Sequence, residues 1–98
     1  MIVVTGSIVA QPDRLGELLG LSLAHVRRSR EEPGCIAHAV HQDAEDPNRL
    51  VFVEQWTDRE ALMAHFAVPA SRAFIKAAGA CAAAPPAMSI YQAEVLAL

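Results

Sequence analysis

The order of β-rich and helical segments along the chain constrains its fold most. Residues 2 to 10 are rich in β-branched residues, and a helical rhythm of apolar residues follows from Leu15. Two strand-like stretches come next, Cys35 to Gln42 and Leu50 to Trp56, then a second helical region and a last strand-like stretch from Ala87 to Leu96. This β-α-β-β-α-β order predicts an α+β, ferredoxin-like fold with a four-stranded antiparallel sheet and helices on one face.

Proline, glycine and capping residues predict where these segments end. The first helix should stop before Pro33-Gly34, and a turn at Asp46-Pro47-Asn48-Arg49 should join strands two and three into a hairpin. The sequence Thr57-Asp58-Arg59-Glu60 matches a capping box and predicts a helix start at Thr57. Val68-Pro69 should then split the second helical region into two pieces, the latter over Ala70 to Ala78.

The length of 98 residues predicts a single domain over 1–98 with one hydrophobic core. Alternation along the first strand points Val3 and Val9 to one side, and Ile2, Val4 and Ile8 to the other. Both faces of the sheet are therefore expected to be apolar, whereas helices cover only one. We expect the bare face to meet a second copy of the chain in a homodimer.

Charge and hydropathy argue against several classes of partner. The net charge is −3, and only Arg27, Arg28 and Arg30 form a basic cluster, so we expect no nucleic-acid binding. No apolar stretch approaches the roughly 20 residues of a membrane-spanning helix, so no membrane association is expected. The chain opens on a strand-like run rather than a basic leader, which favours a cytoplasmic location.

Histidine and cysteine spacing gives no metal motif. The chain has four histidines, and its two cysteines, Cys35 and Cys81, are expected to be buried reduced thiols. No Gly-rich phosphate loop follows any strand. We therefore predict no metal site and no flavin or nicotinamide cofactor.

Five short segments carry a resemblance to a known family. They are Glu32-Pro33-Gly34-Cys35-Ile36, Asp46-Pro47, Glu54-Gln55-Trp56-Thr57-Asp58, Ala61-Leu62 and Ala64-His65. In order and spacing they are similar to the E-P-G-C-L, D-P, E-x-W-x-D, A-L and A-H motifs of the antibiotic biosynthesis monooxygenase family. The resemblance implies a dimeric α+β barrel and the cofactor-independent oxidation of a quinol or polycyclic phenol by O₂.

His65 and Trp56 are the candidate catalytic residues. A neutral imidazole at His65 can take a phenolic proton near neutral pH, whereas the alternative is a helix histidine that only makes a structural hydrogen bond. Trp56 ends a strand, where its indole N–H can donate to a substrate oxygen; the alternative is a core or interface tryptophan.

Four further residues are candidates for substrate binding. His38 lies on a strand and can stand in as base, with Ile36 and Val40 expected on its face and Cys35, Ala39 and His41 on the other. Arg72 and Tyr91 can orient an oxyanion, and Phe66 follows His65 directly. Glu54 is expected to be buried with a partner such as Arg72 or a backbone N–H, and to have a structural role first and a catalytic role second.

One departure from the family pattern keeps other functions open. Family members often continue A-H-x-x-x-P-H-F, but Ala70 stands here in place of the second histidine. A non-catalytic small-molecule-binding or stress-associated dimer, or a cyclase or isomerase on the same fold, therefore remains an alternative. Haem-degrading relatives carry an asparagine on strand one, which this chain lacks, so haem degradation ranks low.

Overall fold

A computed structural model describes all residues, 1–98, as a four-stranded antiparallel sheet with three helices. The elements are β1 (Ile2–Val9), α1 (Leu15–Ser29), β2 (Cys35–Gln42), β3 (Arg49–Trp56), α2 (Arg59–Ala67), α3 (Pro69–Cys81) and β4 (Ala87–Gln92). The strand order is β2-β3-β1-β4, and every neighbouring pair is antiparallel. The predicted ferredoxin-like α+β fold is confirmed.

The core between the sheet and the helices consists of two apolar clusters. The larger contains Ile8, Leu50 and Phe52 from the sheet, with Leu18 and Val26 from α1 and Phe74, Ala78 and Cys81 from α3. The smaller contains Ile2, Val4, Trp56 and Leu62. Between them, on the same face of the sheet, lie Gly6 of β1 and Glu54 of β3. The buried face is therefore apolar at both ends and interrupted in the middle.

A β-bulge changes the faces predicted for β2. The pairing with β3 shifts register between Cys35 and Ala37, so Cys35 lies opposite Trp56 while His38 lies opposite Glu54. The extra residue in the bulge puts Cys35 on the same face as His38, and Ile36 is 52% exposed. The prediction of Cys35 on the opposite face was wrong because strict alternation does not survive a bulge.

The helix boundaries also differ in detail from the predicted ones. Asp58, not Thr57, caps α2, and its carboxylate accepts a hydrogen bond of 2.8 Å from the Ala61 N–H. The Thr57 N–H instead donates to the Gly34 carbonyl at 2.9 Å, which keeps Thr57 at the strand end. The predicted break at Pro69 is confirmed, but α3 continues through Gly79 to Cys81.

The opposite sheet face and the β4 edge are uncovered in the single chain. All six residues of β4 are exposed, and Met88, Ile90 and Tyr91 are each between 48 and 53% accessible. Val53 is also exposed on the face away from the helices. None of the three helices has the length and hydropathy needed to cross a membrane.

Glycines 34 and 20 provide a matched test of this geometry. Gly34 has a φ of +83°, and a Cβ there would lie 2.5 Å from the Ala61 Cβ and 2.8 Å from the Thr57 Oγ1. Gly34→Ala should lower the free energy of unfolding by about 1–3 kcal/mol from backbone strain alone, with steric overlap adding to it. Gly20→Ala, in α1 with open space around it, should raise that free energy by about 0.5–1 kcal/mol.

Guanidinium unfolding of both variants measures the two effects. Equal changes of the same sign would contradict the left-handed turn at Gly34.

Candidate functional site

A cavity of about 530 Å³ opens on the interrupted part of the sheet face. Its walls come from β1, β2 and β3 on the sheet side, from all three helices, and from the start of β4. Much of the wall is apolar, including Ile8, Phe52, Phe66, Phe74 and Met88. Three histidines meet at one place in this wall, two of them close to Glu54, and we call this place the polar end of the cavity. This asymmetry suits an aromatic ligand with a polar group at one edge.

Three buried imidazoles converge at that polar end of the cavity. They are His25 from α1, His38 from β2 and His65 from α2, exposed by 5, 2 and 3% respectively. One nitrogen atom from each ring lies within 4.8 Å of those of the other two. We call these residues the imidazole cluster.

Glu32 holds His65 in a fixed orientation. The Nδ1 of His65 lies 2.8 Å from the Glu32 Oε1, in a pair that joins α2 to the loop before β2. An ionised carboxylate can only accept a hydrogen bond. The contact therefore favours the tautomer of His65 in which Nδ1 carries the hydrogen and donates it. The lone pair is then on Nε2, which lies 4.0 Å from the Glu54 Oε1 in the cavity wall.

Trp56 holds Glu54. The indole Nε1–H donates to the Glu54 Oε1 at 3.0 Å, and both side chains are buried. The other carboxyl oxygen, Oε2, lies 3.6 Å from the His38 Nε2. Burial raises the pKa of Glu54, while the Trp56 hydrogen bond and the nearby His65 partly oppose that rise.

His25 and His38 are held neutral. Burial lowers the pKa of His25 to about 4, with repulsion from His65 and Arg28 adding to the effect. Burial lowers the pKa of His38 to about 3, with contributions from the other two imidazoles and Arg30. Both nitrogens of His38 and the Nδ1 of His25 are buried without a hydrogen-bond partner. Unpaired buried nitrogens of this kind are rare in proteins and call for an explanation.

The structure brings four of the six predicted site residues to the cavity. His65, His38, Phe66 and Arg72 all line it, with the two histidines buried and Arg72 exposed. Their predicted roles in catalysis and substrate binding stay predictions. Glu54 is buried as expected, but its partner is the Trp56 N–H rather than Arg72.

Trp56 and Tyr91 lie away from the cavity wall. Trp56 is fully buried and its N–H is bonded to Glu54, so it is not free to donate to a ligand as predicted. Tyr91 pairs with Val3, a residue that points to the bare face of the sheet. Alternation along β4 therefore turns the Tyr91 side chain away from this cavity, and its predicted role in substrate binding stays a prediction.

Sequence reasoning missed His25. Leu18, Ser22 and Val26 are buried on one face of α1, and His25 falls three residues after Ser22 on that same face. In the structure His25 stacks on Phe74, with ring centroids 4.1 Å apart and planes 7° from parallel. The available signal was a polar ring within an apolar helical stripe.

The comparisons with known proteins identify the family. The sequence model described as antibiotic biosynthesis monooxygenase matches residues 1–77. The chain belongs to this family. The family resemblance found in the sequence motifs is thereby confirmed.

One relative and two solved structures are similar to this chain over most of its length. An uncharacterized protein of Synechocystis sp., sll1783, is 36% identical over 91 residues, which are 93% of this chain and 62% of that protein. The chain thus spans less than two thirds of that relative. A crystal structure of an antibiotic biosynthesis monooxygenase superposes with a TM-score of 0.90 at 27% identity, covering 97% of this chain and 100% of the other. Rv0793 from Mycobacterium tuberculosis has the same fold, with a TM-score of 0.91 at 24% identity over 99% and 98% of the two chains.

The neutral imidazoles predict a loss of stability in acid. An unfolded histidine binds a proton below about pH 6.5, whereas native His25 and His38 stay neutral down to about pH 4 and about pH 3. The unfolded chain therefore binds more protons in that window, and the free energy of unfolding falls as the pH is lowered through it, by up to about 1.4 kcal/mol per pH unit for each histidine. The raised pKa of Glu54 acts in the opposite direction above about pH 4.5.

Guanidinium unfolding between pH 5 and 8, with EDTA present, measures this slope. His25→Phe retains a ring to stack on Phe74 and should reduce the slope by about one proton. His41→Gln changes an exposed histidine and serves as the control. A slope that is the same in wild type and His25→Phe would show that His25 is not held neutral.

Proposed function

We propose that this chain is a cofactor-independent monooxygenase that oxidises a hydroquinone or polycyclic phenol with O₂. The observation that carries the proposal is the Glu32–His65 pair at the wall of a largely apolar cavity. Such a pair supplies a base of fixed orientation, and the cavity supplies a dry site for a flat aromatic molecule. Membership in the antibiotic biosynthesis monooxygenase family supports the reaction class.

The His65 Nε2 is the proposed proton acceptor. It takes the phenolic proton while the Nδ1–H keeps donating its hydrogen bond to Glu32. The positive charge that develops on the imidazole ring therefore faces a carboxylate. Deprotonation makes the aromatic ring electron-rich enough to pass an electron to O₂. The Phe66 ring lies 5.8 Å from that of His65, and Arg72 also lines the cavity. In these positions a ring can pack against the substrate and a guanidinium can bind its oxyanion.

Atoms and electrons balance without an added reductant. The anion and O₂ form a carbon-bound hydroperoxide, which loses water to leave a carbonyl group. One oxygen atom enters the product and the other leaves as water, and all four electrons that reduce O₂ come from the substrate. Trp56 acts in this scheme as a positioning residue, because it holds Glu54 in place beside the His65 Nε2.

Oxygen labelling with menadiol tests the proposed reaction. Metal-stripped protein supplied with ¹⁸O₂ should form a hydroxylated naphthoquinone that carries one labelled atom, faster than buffer alone. His65→Ala should lose at least about 100-fold of that rate, the range expected for removal of a general base. His41→Ala, which removes an exposed histidine outside the cavity, should match wild type.

Mass spectrometry of the product separates the outcomes. Unlabelled menadione alone reports autoxidation, which needs no enzyme. A second outcome is that no hydroquinone gives labelled product although one of them raises the melting temperature. The chain would then be a non-catalytic small-molecule-binding protein, the alternative that Ala70 favours, and not a monooxygenase.

We also propose that two copies of the chain associate through the bare face of the sheet. Val53 and Tyr91 are exposed on that face, and Val3 and Val51 are only half-buried there. A monomeric protein rarely exposes a contiguous apolar surface of this kind. Self-association would cover it and would also protect the exposed edge of β4.

Sedimentation equilibrium tests the association. The wild-type protein should have twice the 10.5 kDa mass of the chain at micromolar concentration. Val53→Lys should shift the equilibrium toward the monomer, because it would bury a charge at the interface. Met63→Lys, at an exposed methionine on α2, is the matched control and should remain dimeric. A wild-type monomer at this concentration would contradict the proposal.

A further inference from the structure

We propose that the imidazole cluster, His25, His38 and His65, is a binding site for a divalent transition-metal ion of the Zn²⁺ or Co²⁺ type. The convergence of the three rings from three different elements carries the inference. One nitrogen from each lies within 4.8 Å of the others. An ion held about 2.1 Å from each nitrogen needs these distances to shrink to roughly 3.4 Å, so each ring would move inward by no more than about 1 Å.

The unpaired nitrogens are an independent observation that points to a ligand. Both nitrogens of His38 and the Nδ1 of His25 are buried and have no hydrogen-bond partner. An unpaired polar atom in the interior costs free energy that a hydrogen bond or a metal ion would recover. Neutral imidazole is the form of histidine that binds metal.

The groups around the cluster match the outer shell of a metal site. Glu32 holds the Nδ1 of His65, which is the carboxylate–histidine arrangement that fixes a metal-binding ring and leaves its Nε2 free. Trp56 holds one oxygen of Glu54, and the other lies 3.6 Å from the His38 Nε2. Glu54 therefore places a carboxyl group beside the cluster, and a bound cation would favour its ionised form.

The nature of the ligands selects the class of ion. Three imidazoles favour Zn²⁺, Co²⁺, Ni²⁺ or Cu²⁺ over Mg²⁺ and Ca²⁺, which prefer oxygen. All three histidines line the cavity, so a further coordination position would face it. Three protein ligands with an open position are typical of a site that binds a small molecule at the metal, rather than of a closed structural site.

The metal site goes beyond the proposed function, and it uses the same nitrogen. The Nε2 of His65 cannot accept a phenolic proton and bind a cation at once. A bound ion would therefore inhibit the cofactor-independent reaction, a consequence that rests on the proposed function. The binding itself does not depend on turnover, so it is measured without a substrate.

Titration of untagged, EDTA-treated protein with Co²⁺ tests the site. We expect one ion to bind per chain, with the intense visible absorption of four-coordinate Co²⁺. Zn²⁺ should displace the Co²⁺ and raise the melting temperature of the protein. His38→Ala and His25→Phe should each weaken binding at least about 100-fold, and Glu32→Gln by about 10- to 100-fold. His41→Ala should bind as wild type does.

Two outcomes would overturn the proposal. One is a Co²⁺ spectrum that remains that of the weakly coloured aqueous ion. The other is wild-type affinity in both His38→Ala and His25→Phe, which would show that the ion binds elsewhere. His25→Phe retains the aromatic packing on Phe74, so it remains informative if His38→Ala fails to fold.

Failure of the metal site and failure of the oxygenase are distinguishable. Oxygen labelling uses metal-stripped protein, whereas the Co²⁺ titration contains no hydroquinone. Labelled product without Co²⁺ binding would support the oxygenase and contradict the metal site. Co²⁺ binding without labelled product would support the metal site and contradict the oxygenase.

Discussion

The hydrogen bond from the Trp56 indole to Glu54 is the contact on which the site depends. Glu54 lies on a largely apolar, buried sheet face, where an unpaired carboxylate would cost several kcal/mol. The indole N–H lies two residues further along the same strand and on the same face, so the sequence places donor beside acceptor. With Oε1 held in this way, Glu54 separates the two apolar clusters and leaves room for polar neighbours.

The imidazole cluster and the cavity follow from that interruption. His38 lies opposite Glu54 in the neighbouring strand, and His65 approaches from α2. Gly6, on the same face of β1, adds no side chain to fill the space. The polar end of the cavity is thus built from a strand pair, and the helices complete it. The proposed oxygenase and the proposed metal site use the Nε2 lone pair of His65 differently: it binds a proton in the first and a metal cation in the second.

Much of the fold was predictable from the sequence, because its signals are local. As predicted, α1 ends before Pro33-Gly34, at Ser29, and Pro69 splits the second helical region. The errors arose where a long-range contact overrode a local signal. The bulge in β2 moved Cys35 to the face of His38. The Gly34 carbonyl bonds the Thr57 N–H directly after the end of β3, and Asp58 is the cap of α2.

The candidate site was predictable only in part. The family motifs contain Glu32, Glu54, Trp56 and His65, but only Trp56 and His65 were predicted to be catalytic. Glu54 was expected to be buried, as it is, and no role was predicted for Glu32. His25 carried no motif, and Ala70 suggested that the site had lost an imidazole. By itself the sequence determined the order of elements, the apolar faces and the family, since these depend on periodicity and short motifs. Only the tertiary structure decided that three histidines 13 to 40 residues apart meet around Glu54, because packing of α1 and α2 on the sheet, not spacing along the chain, sets the distance between side chains.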